Sequence, residues 1–457
     1  MKTEMVKILK RAVWCGALLC GICFRVQAGE LSRQVVPIHW DDRKTVPLEG
    51  EFAGEVIRLL QNTNKYAMNT WYNEVKKFSA QTGEYLDFGG KIERFIRPVS
   101  HEAFALAVCL RLNLYDPAVA GVSRGEAIER TVKLISSLAY RHKANSGKSG
   151  WGDLWQSALW AAQAATAGWM MWDFLSPEQQ EMVCKMTVYE ADRFLDYKVP
   201  YYRDMQGKII YKGDSKAEEN AWNSNILVIA KVMMPGHPHE KQWMRKAVEL
   251  MISAYAAPSD LQSKKKVNGF RLNEVLNGSN IEENGLVVNH GIIHADYMCS
   301  IMHNTLNVWM FGLAGMKAPQ AAQMNGGKVY YALTDLDFDG KTMYVKGADG
   351  GASPQMYYPQ GNDWGLGRQD GYWLMDILAY SFGWDARSSV KAEDWAKARN
   401  RKMQEMQERF TTGQYYGDRS ENKFDTREEW YAAQLAFGYL GLWEKEHKMV
   451  RFTNKAY

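Results

Sequence analysis

Residues 282–314 read EENGLVVNHGIIHADYMCSIMHNTLNVWMFGLA, a long apolar run with several polar side chains near its start. Asn284-Gly285 is typical of a turn, and the apolar residues from Met298 to Phe311 are typical of a buried helix. We therefore predict one helix over residues 286–314. Its polar N-terminal end would lie where a cleft can reach it.

The same helical periodicity recurs along most of the chain. Start signals precede several segments: Ser100, Ser176 followed by Pro177 and Gln179, and Ser215 with Glu218 three residues later. The remaining predicted helices cover residues 52–78, 101–114, 124–141, 153–173, 177–197, 216–234, 239–256, 319–333, 369–382, 391–411 and 426–446. Many helices with short connections and no alternating strands predict an all-α domain, most economically an (α/α)6 or (α/α)7 toroid.

One segment interrupts this helical pattern. Asp335 to Arg368 contains seven glycines between Gly340 and Gly367, so we predict a long irregular loop with a short β-hairpin around residues 342–346. We expect this loop to close over a ligand. We also expect its partial deletion to weaken binding more than it harms the fold.

The first 28 residues are typical of a secretory signal. A basic start precedes the apolar run from Ala12 to Phe24, and Val26-Gln27-Ala28 fits a cleavage site. The apolar run is too short to span a membrane. No small residue precedes Cys20 or Cys23 as lipidation would need, which disfavours a lipid anchor. We expect a periplasmic protein rather than a secreted one. We predict a single domain over residues 29–457.

Charge and cysteines narrow the function further. Residues 1–28 contain five of the 56 Lys/Arg and one of the 52 Asp/Glu, which leaves 51 of each and no bulk charge for nucleic-acid binding. Cys109, Cys184 and Cys299 remain in apolar stretches and are predicted to be buried thiols.

Four segments carry polar or aromatic groups that could face one cleft. His290, His294 and Tyr297 are spaced i, i+4, i+7, which would put two imidazoles and a phenol on one helix face. The other candidates are Trp151 and Trp155, Asn220 and Asn223 near a helix start, and Tyr357, Tyr358, Trp364 and Arg368 in or beside the glycine-rich loop. Core packing is the ordinary alternative for each aromatic residue, and a hydrogen-bonded structural role is the alternative for each His.

These residue types suit proton abstraction from an anionic sugar. In a 1,4-linked uronic acid the C5 proton lies alpha to a carboxylate, so it becomes removable when that charge is neutralised. An Asn can donate to the carboxylate, a His or Tyr can take the proton, and a Tyr hydroxyl can protonate the departing O4. This chemistry requires no cofactor and no metal.

The segment Gly285-Leu-Val-Val-Asn-His290, followed by Tyr297, with an Asn on an earlier helix and a later Arg, resembles the Asn/His/Tyr/Arg arrangement of toroidal polysaccharide lyases. The length and helical pattern of the whole chain look closer to polysaccharide lyase family 38, whose members have an (α/α)7 barrel and act on alginate or glucuronan. The resemblance implies His290 as base and Tyr297 as acid or acid/base. It also implies Asn220, or Asn223 or Asn225 in its place, as carboxylate neutraliser, and Arg368 as the accompanying cation. An anionic polysaccharide would be the substrate.

Two other functions fit parts of the pattern. A toroidal glycoside hydrolase would use carboxylates such as Asp153, Glu219, Glu283 or Asp296. An exported glycan-binding protein would keep the Trp residues without needing two His and a Tyr together. A metal enzyme is disfavoured because residues 29–457 contain no CxxC or HExxH, and the His237-Pro-His239 pair has no further ligands nearby.

Overall fold

The computed structural model describes residues 29–457, and the predicted signal segment lies outside them. Helices dominate, as the sequence predicts. They span Glu51–Tyr66, Glu93–Arg111, Pro117–Ala120, Arg124–Tyr140, Lys143–Ser146, Ser157–Met170, Pro177–Asp192, Ala217–Met233, Glu240–Ala254, Leu272–Val275, Ala295–Cys299, Met302–Leu313, Gly326–Thr334, Gln369–Phe382, Ala392–Gln407 and Arg427–Glu446. Glu51–Tyr66 continues as the π-helix Ala67–Val75. Within residues 29–457, every helix is too short or too polar to cross a bilayer.

The three helix starts predicted from local sequence can be compared with the observed ones. Ser176 forms the predicted capping box, because its hydroxyl accepts from the Gln179 N–H and the Gln179 side chain accepts from the Ser176 N–H. Ser100 is not a start, since its helix begins at Glu93 and its hydroxyl donates to the Arg97 carbonyl at 2.8 Å. The capping box predicted at Ser215 is absent. The Ser215 hydroxyl donates to the Asn280 carbonyl at 2.7 Å, and the helix begins at Ala217.

The described strands are only two residues long and form four separate pairs. Arg203–Asp204 pairs with Gly278–Ser279, Lys266–Val267 with Phe270–Arg271, Val288–Asn289 with Ile292–Ile293, and Ala318–Pro319 with Phe452–Thr453. Only the last pair is parallel.

The pair at Val288–Ile293 corrects the helix predicted over residues 286–314. β-branched residues surround a two-residue turn in which His290 has φ +51° and Gly291 has φ +79°. Left-handed conformations at both central residues match the turn that β-hairpins prefer, whereas a helix excludes them. The helical part begins only afterwards, as Ala295–Cys299 and Met302–Leu313.

The long helices pack against one another in an order that follows the chain. Glu93–Arg111 contacts Ser157–Met170, which contacts Ala217–Met233, which in turn contacts Met302–Leu313. Arg427–Glu446 packs against both Gln369–Phe382 and Glu93–Arg111. Each side chain of Ser157–Met170 is buried, as expected for a helix surrounded by others. Cys109, Cys184 and Cys299 are buried free thiols, as predicted.

The glycine-rich segment 335–368 is irregular, as predicted, but the core anchors it. Tyr344 is fully buried with its ring 4.2 Å from the Arg399 guanidinium, and Arg399 donates to the Pro354 carbonyl at 3.3 Å. Of the predicted hairpin around residues 342–346, the structure has a short antiparallel pairing centred on the bridge between Tyr344 and Met356, with Val345 N–H donating to the Gln355 carbonyl at 3.2 Å. Because the core anchors the segment at Tyr344 and Pro354, a deletion that spares these two residues is the one that tests whether binding is weakened more than the fold is harmed.

Candidate functional site

The hairpin Val288–Ile293 places His290 at the wall of a cavity. Two backbone bonds hold the hairpin to the preceding segment: Ser215 N–H donates to the Val288 carbonyl at 2.9 Å, and Gly291 N–H donates to the Gly213 carbonyl at 2.9 Å. His290 occupies the tip of the turn, where its side chain stays exposed. The sequence predicted His290 on a helix, whereas the structure places it in a hairpin turn at the cavity.

His290, Tyr297 and Asp363 form a connected polar group. The Tyr297 hydroxyl lies 3.1 Å from His290 Nε2, and His290 Nδ1 lies 2.8 Å from an Asp363 oxygen. The carboxylate can fix the imidazole with its proton on Nδ1, which leaves Nε2 to accept from the phenol. The contact between His290 and Tyr297 that helical spacing predicted thus arises through a hairpin followed by a short helix.

Tyr297 is held in its neutral form. Burial raises the pKa of its phenol, and the nearby carboxylate of Glu218 raises this pKa further. Only 7% of Tyr297 is exposed, yet the residue lines the cavity. A phenol that stays protonated beside a cleft can donate its proton to a bound ligand.

His294 lies behind this pair, away from solvent. Its Nε2 is 3.0 Å from the second Asp363 oxygen, and its Nδ1 is 3.8 Å from an Asp296 oxygen. Burial lowers the pKa of His294 despite these carboxylates. Burial alone would raise the pKa of Asp363, but hydrogen bonds to His290 and His294 outweigh it, and the net shift is downward. His290, His294 and Asp363 are also the described residues that could together hold a metal ion.

Asp296 organises the floor of the site. It accepts from Arg368 Nε at 2.5 Å, from the Asn362 amide at 2.6 Å and from the Tyr372 hydroxyl at 3.1 Å. The Arg368 guanidinium lies 4.7 Å from the Trp364 ring centroid. Burial would lower the pKa of Arg368, but Asp296 and neighbouring acids raise it, so the guanidinium stays charged.

The cavity itself has a volume of about 260 Å³. Its lining combines cations, carboxylates, amides and aromatic rings. The residues that line it are Glu93, Arg97, Trp155, Gln156, Glu218, His290, Tyr297, Trp364, Arg368, Asn422, Phe424, Thr426, Arg427 and Trp430. Predicted residues His290, Tyr297, Trp155, Trp364 and Arg368 are therefore brought together, and His294 lies one layer behind them.

Three predicted polar and aromatic residues are in the core instead. Trp151 is 1% exposed, and its indole donates to the Leu138 carbonyl at 3.0 Å. The Asn220 amide donates to the Pro200 carbonyl at 3.0 Å and to Ser253 Oγ at 3.1 Å, so it ties structural elements together. Asn223 is buried and does not line the cavity. Asn220 and Asn223 lie on inward faces of the helix Ala217–Met233, and Trp151 lies before the helix Ser157–Met170 in a bridge to His142, which composition alone could not show.

The two loop tyrosines are also outside the cavity lining. Tyr357 lies beside Lys341, whose ammonium is 5.1 Å from the ring centroid. The Tyr358 hydroxyl is 3.5 Å from that of Tyr372. Of the aromatic groups proposed for this loop, only Trp364 reaches the cavity.

Asn422 is a site residue that sequence reasoning missed. Its Oδ1 accepts from Phe424 N–H at 3.0 Å and faces Arg368 at 3.5 Å. Its Nδ2 is buried at the cavity and has no hydrogen-bond partner among residues 29–457. An unsatisfied buried donor in a cavity wall is available to a ligand oxygen. The only sequence signal was a polar stretch just before the last long helix.

Glu218 is the second missed group. Burial raises its pKa to about 8, with a further increase from Glu219 and a smaller opposing effect of Arg97. Of the carboxylates predicted for a hydrolase, Asp296 lies at the floor of the site, whereas two others form ion pairs away from it. Asp153 accepts from Lys143 at 2.6 Å, and Glu283 accepts from Lys328 at 2.9 Å. Glu219 accepts from the Trp155 indole.

Comparison with known proteins identifies no relative of this chain. No family model matches the chain, and no curated protein matches it either.

Proposed function

We propose that this protein is a polysaccharide lyase that cleaves a 1,4-linked polyuronate by β-elimination. One observation carries the proposal: the Tyr297 hydroxyl lies 3.1 Å from His290 Nε2 at the wall of a cavity that three arginines line. Proton transfer and anion binding are the two requirements of this reaction, and both kinds of group meet here.

The first step is to neutralise the substrate carboxylate, which makes the C5 proton acidic. Asn422 offers an unpartnered amide donor for this purpose, and three arginines line the cavity around it, of which Arg97 pairs with Glu93 and Arg368 with Asp296. Arg427 donates to the backbone carbonyl of Asn422 at 3.1 Å. Because this acceptor is neutral, the contact leaves the charge of Arg427 uncompensated. Asn422 thus takes the role expected of Asn220.

The proton transfers follow from the Asp363–His290–Tyr297 contacts. His290, oriented by Asp363, accepts the C5 proton through Nε2, and neutral Tyr297 donates its hydroxyl proton to the departing O4. Asp363 is a positioning residue, since it acts through His290. The bond between C4 and O4 breaks as a double bond forms between C4 and C5, which leaves an unsaturated uronate end.

The fold and the aromatic residues of the cavity support the same hypothesis. The successive packing of the long helices supports an (α/α) toroid of six or seven hairpins, and the resemblance to polysaccharide lyase family 38 favours alginate or glucuronan as substrate. Trp155, Trp364, Phe424 and Trp430 present aromatic faces on which sugar rings can stack. The predicted signal segment would bring the enzyme to the periplasm.

A toroidal glycoside hydrolase is the second candidate, because a specific observation favours it. Glu218 lines the cavity with a pKa raised to about 8, as a general acid requires, and Glu93 is a second carboxylate there. A glycan-binding protein without activity would need neither group.

One assay separates these functions. Purified protein is incubated with alginate, glucuronan and defined mannuronate, guluronate and glucuronate oligomers, and ultraviolet absorbance and reducing ends are followed together. A lyase produces both signals because its product is a conjugated unsaturated uronate. Reducing ends without absorbance identify a hydrolase and end the lyase proposal, whereas binding without either signal identifies a glycan-binding protein.

A further inference from the structure

Two histidines converge on one carboxylate at the edge of the cavity. His290, His294 and Asp363 each present a ligand atom, and these atoms all lie within 4.8 Å of one another. We propose that this cluster is a binding site for a divalent transition-metal ion of the Zn²⁺ class. The site goes beyond the proposed lyase activity, which needs no metal.

The donor set and its spacing suit such an ion. Two imidazoles and a carboxylate are the protein ligands of open zinc sites, with bonds of about 2.0–2.2 Å that place ligand atoms roughly 3.3 Å apart. Two of the three pairs of ligand atoms are near this separation. His290 Nδ1 lies 2.8 Å from one Asp363 oxygen, and His294 Nε2 lies 3.0 Å from the other. The imidazole pair must close by no more than about 1.5 Å, which the exposed turn at His290 permits.

Polar groups behind both imidazoles complete the arrangement. His294 Nδ1 is buried, has no hydrogen-bond partner among residues 29–457, and lies 3.8 Å from an Asp296 oxygen. A carboxylate behind a histidine fixes the tautomer that presents the other nitrogen to a metal. His290 Nε2 faces the Tyr297 hydroxyl at 3.1 Å. An ion on Nδ1 leaves the ring proton on Nε2, which then donates to the Tyr297 hydroxyl, so His290 cannot serve as the base of the proposed elimination while the ion is bound.

The ion also has a route and an open position. His290 lines the cavity, so an ion reaches the cluster from solvent. Three protein ligands leave a fourth tetrahedral position for water. Asp363 is exposed and lies in a segment with several glycines, so its carboxylate can adjust to an ion without disturbing the core.

The test is a Zn²⁺ titration of chelator-treated protein by calorimetry, with Co²⁺ absorbance in the visible region as a second readout. We expect one ion per chain, and at least ~10-fold weaker binding in His294→Ala and Asp363→Asn. His239→Ala is the matched control, because His239 Nδ1 lies 2.8 Å from an Asp192 oxygen, the same contact at a different place. This control should bind Zn²⁺ as tightly as the wild type.

The proposal fails if the wild type binds no Zn²⁺, if His294→Ala and Asp363→Asn bind it as tightly as the wild type, or if His239→Ala weakens binding equally. Should His294→Ala not fold, the exposed Asp363→Asn variant decides the outcome. The titration contains no polysaccharide, so a protein without lyase activity can still bind the ion, and a lyase can fail this test.

Discussion

At the scale of single residues, Tyr297 is the sharpest test of the proposed chemistry. Replacing it by Phe removes the hydroxyl that contacts His290 and keeps the ring in place. Turnover should fall at least ~100-fold if the hydroxyl protonates O4, while stability should change by about 1 kcal/mol, the usual worth of one hydrogen bond. Tyr358→Phe is the control, because its hydroxyl lies outside the cavity lining. Near-normal turnover of Tyr297→Phe would remove Tyr297 from the mechanism.

Asn422 and Asn220 give a paired test of the carboxylate-binding group. Asn422→Ala removes the free donor at the cavity and should lower turnover more than it weakens substrate binding, because the carboxylate charge grows in importance at the transition state. Asn220→Ala should instead lower stability by about 1–3 kcal/mol, since it breaks two buried hydrogen bonds. Steady-state kinetics and urea unfolding of both variants check this. If Asn220→Ala lowers turnover and Asn422→Ala lowers only stability, Asn220 is the carboxylate-binding residue.

Glu218 predicts a pH dependence of stability. Burial raises its pKa from 4.5 to about 8 in the folded protein, so between these values the folded state binds more protons than the unfolded state. The free energy of unfolding must then fall as pH rises through this window, by at most about 1.4 kcal/mol per pH unit. Glu218→Gln cannot ionise, so it should gain stability relative to the wild type from about pH 5 to about pH 8. A constant difference in urea unfolding across this range would contradict the shift.

At the scale of elements, the hairpin Val288–Ile293 depends on close contact with the segment before Ser215. Gly213 has φ +72°, and a Cβ there would lie 2.9 Å from Gly291 Cα. Gly213→Ala should therefore displace the hairpin and reduce turnover. Gly207→Ala is the matched control, because Gly207 has φ +79° with nothing within 4 Å of a new Cβ.

Both glycine variants should lose about 1–2 kcal/mol from the left-handed backbone alone. Only Gly213→Ala should also lose activity, since only its Cβ meets the hairpin that carries His290. Thermal unfolding and turnover of the two proteins separate these effects. Equal activity in both variants would show that the hairpin position does not depend on this contact.

At the scale of the whole molecule, Arg399 joins the glycine-rich segment to two long helices. It is fully buried, pairs with Asp376 at 3.0 Å, and donates to the Gln369 side chain at 2.9 Å and the Pro354 carbonyl at 3.3 Å. Arg399→Met leaves a buried carboxylate without its cation, which costs about 3–5 kcal/mol. The double variant with Asp376→Asn should recover part of this loss. Urea unfolding measures both, and a double variant no more stable than the single one would contradict the ion-pair explanation.

The sequence by itself determined most of the long helices and the residue types of the site. Helix Gln369–Phe382 has the predicted bounds, and the capping box at Ser176 formed as its residues require. Both depend on interactions within a few residues, which hydrophobic periodicity and capping patterns describe directly. His290 and Tyr297 could be singled out for the same reason, since they lie only seven residues apart.

Only the tertiary structure decided how these residues are used. The apolar run around His290 is compatible with a helix or a hairpin, and packing against Gly213 and Ser215 selects the hairpin. Asp363 reaches His290 across 73 positions of sequence, and Asn422 reaches Arg368 across 54. Such partners meet because separate elements bury their apolar faces together, and no local pattern encodes that meeting. The same burial placed Trp151 and Asn220 in the core and left Asn422 with a free donor at the cavity.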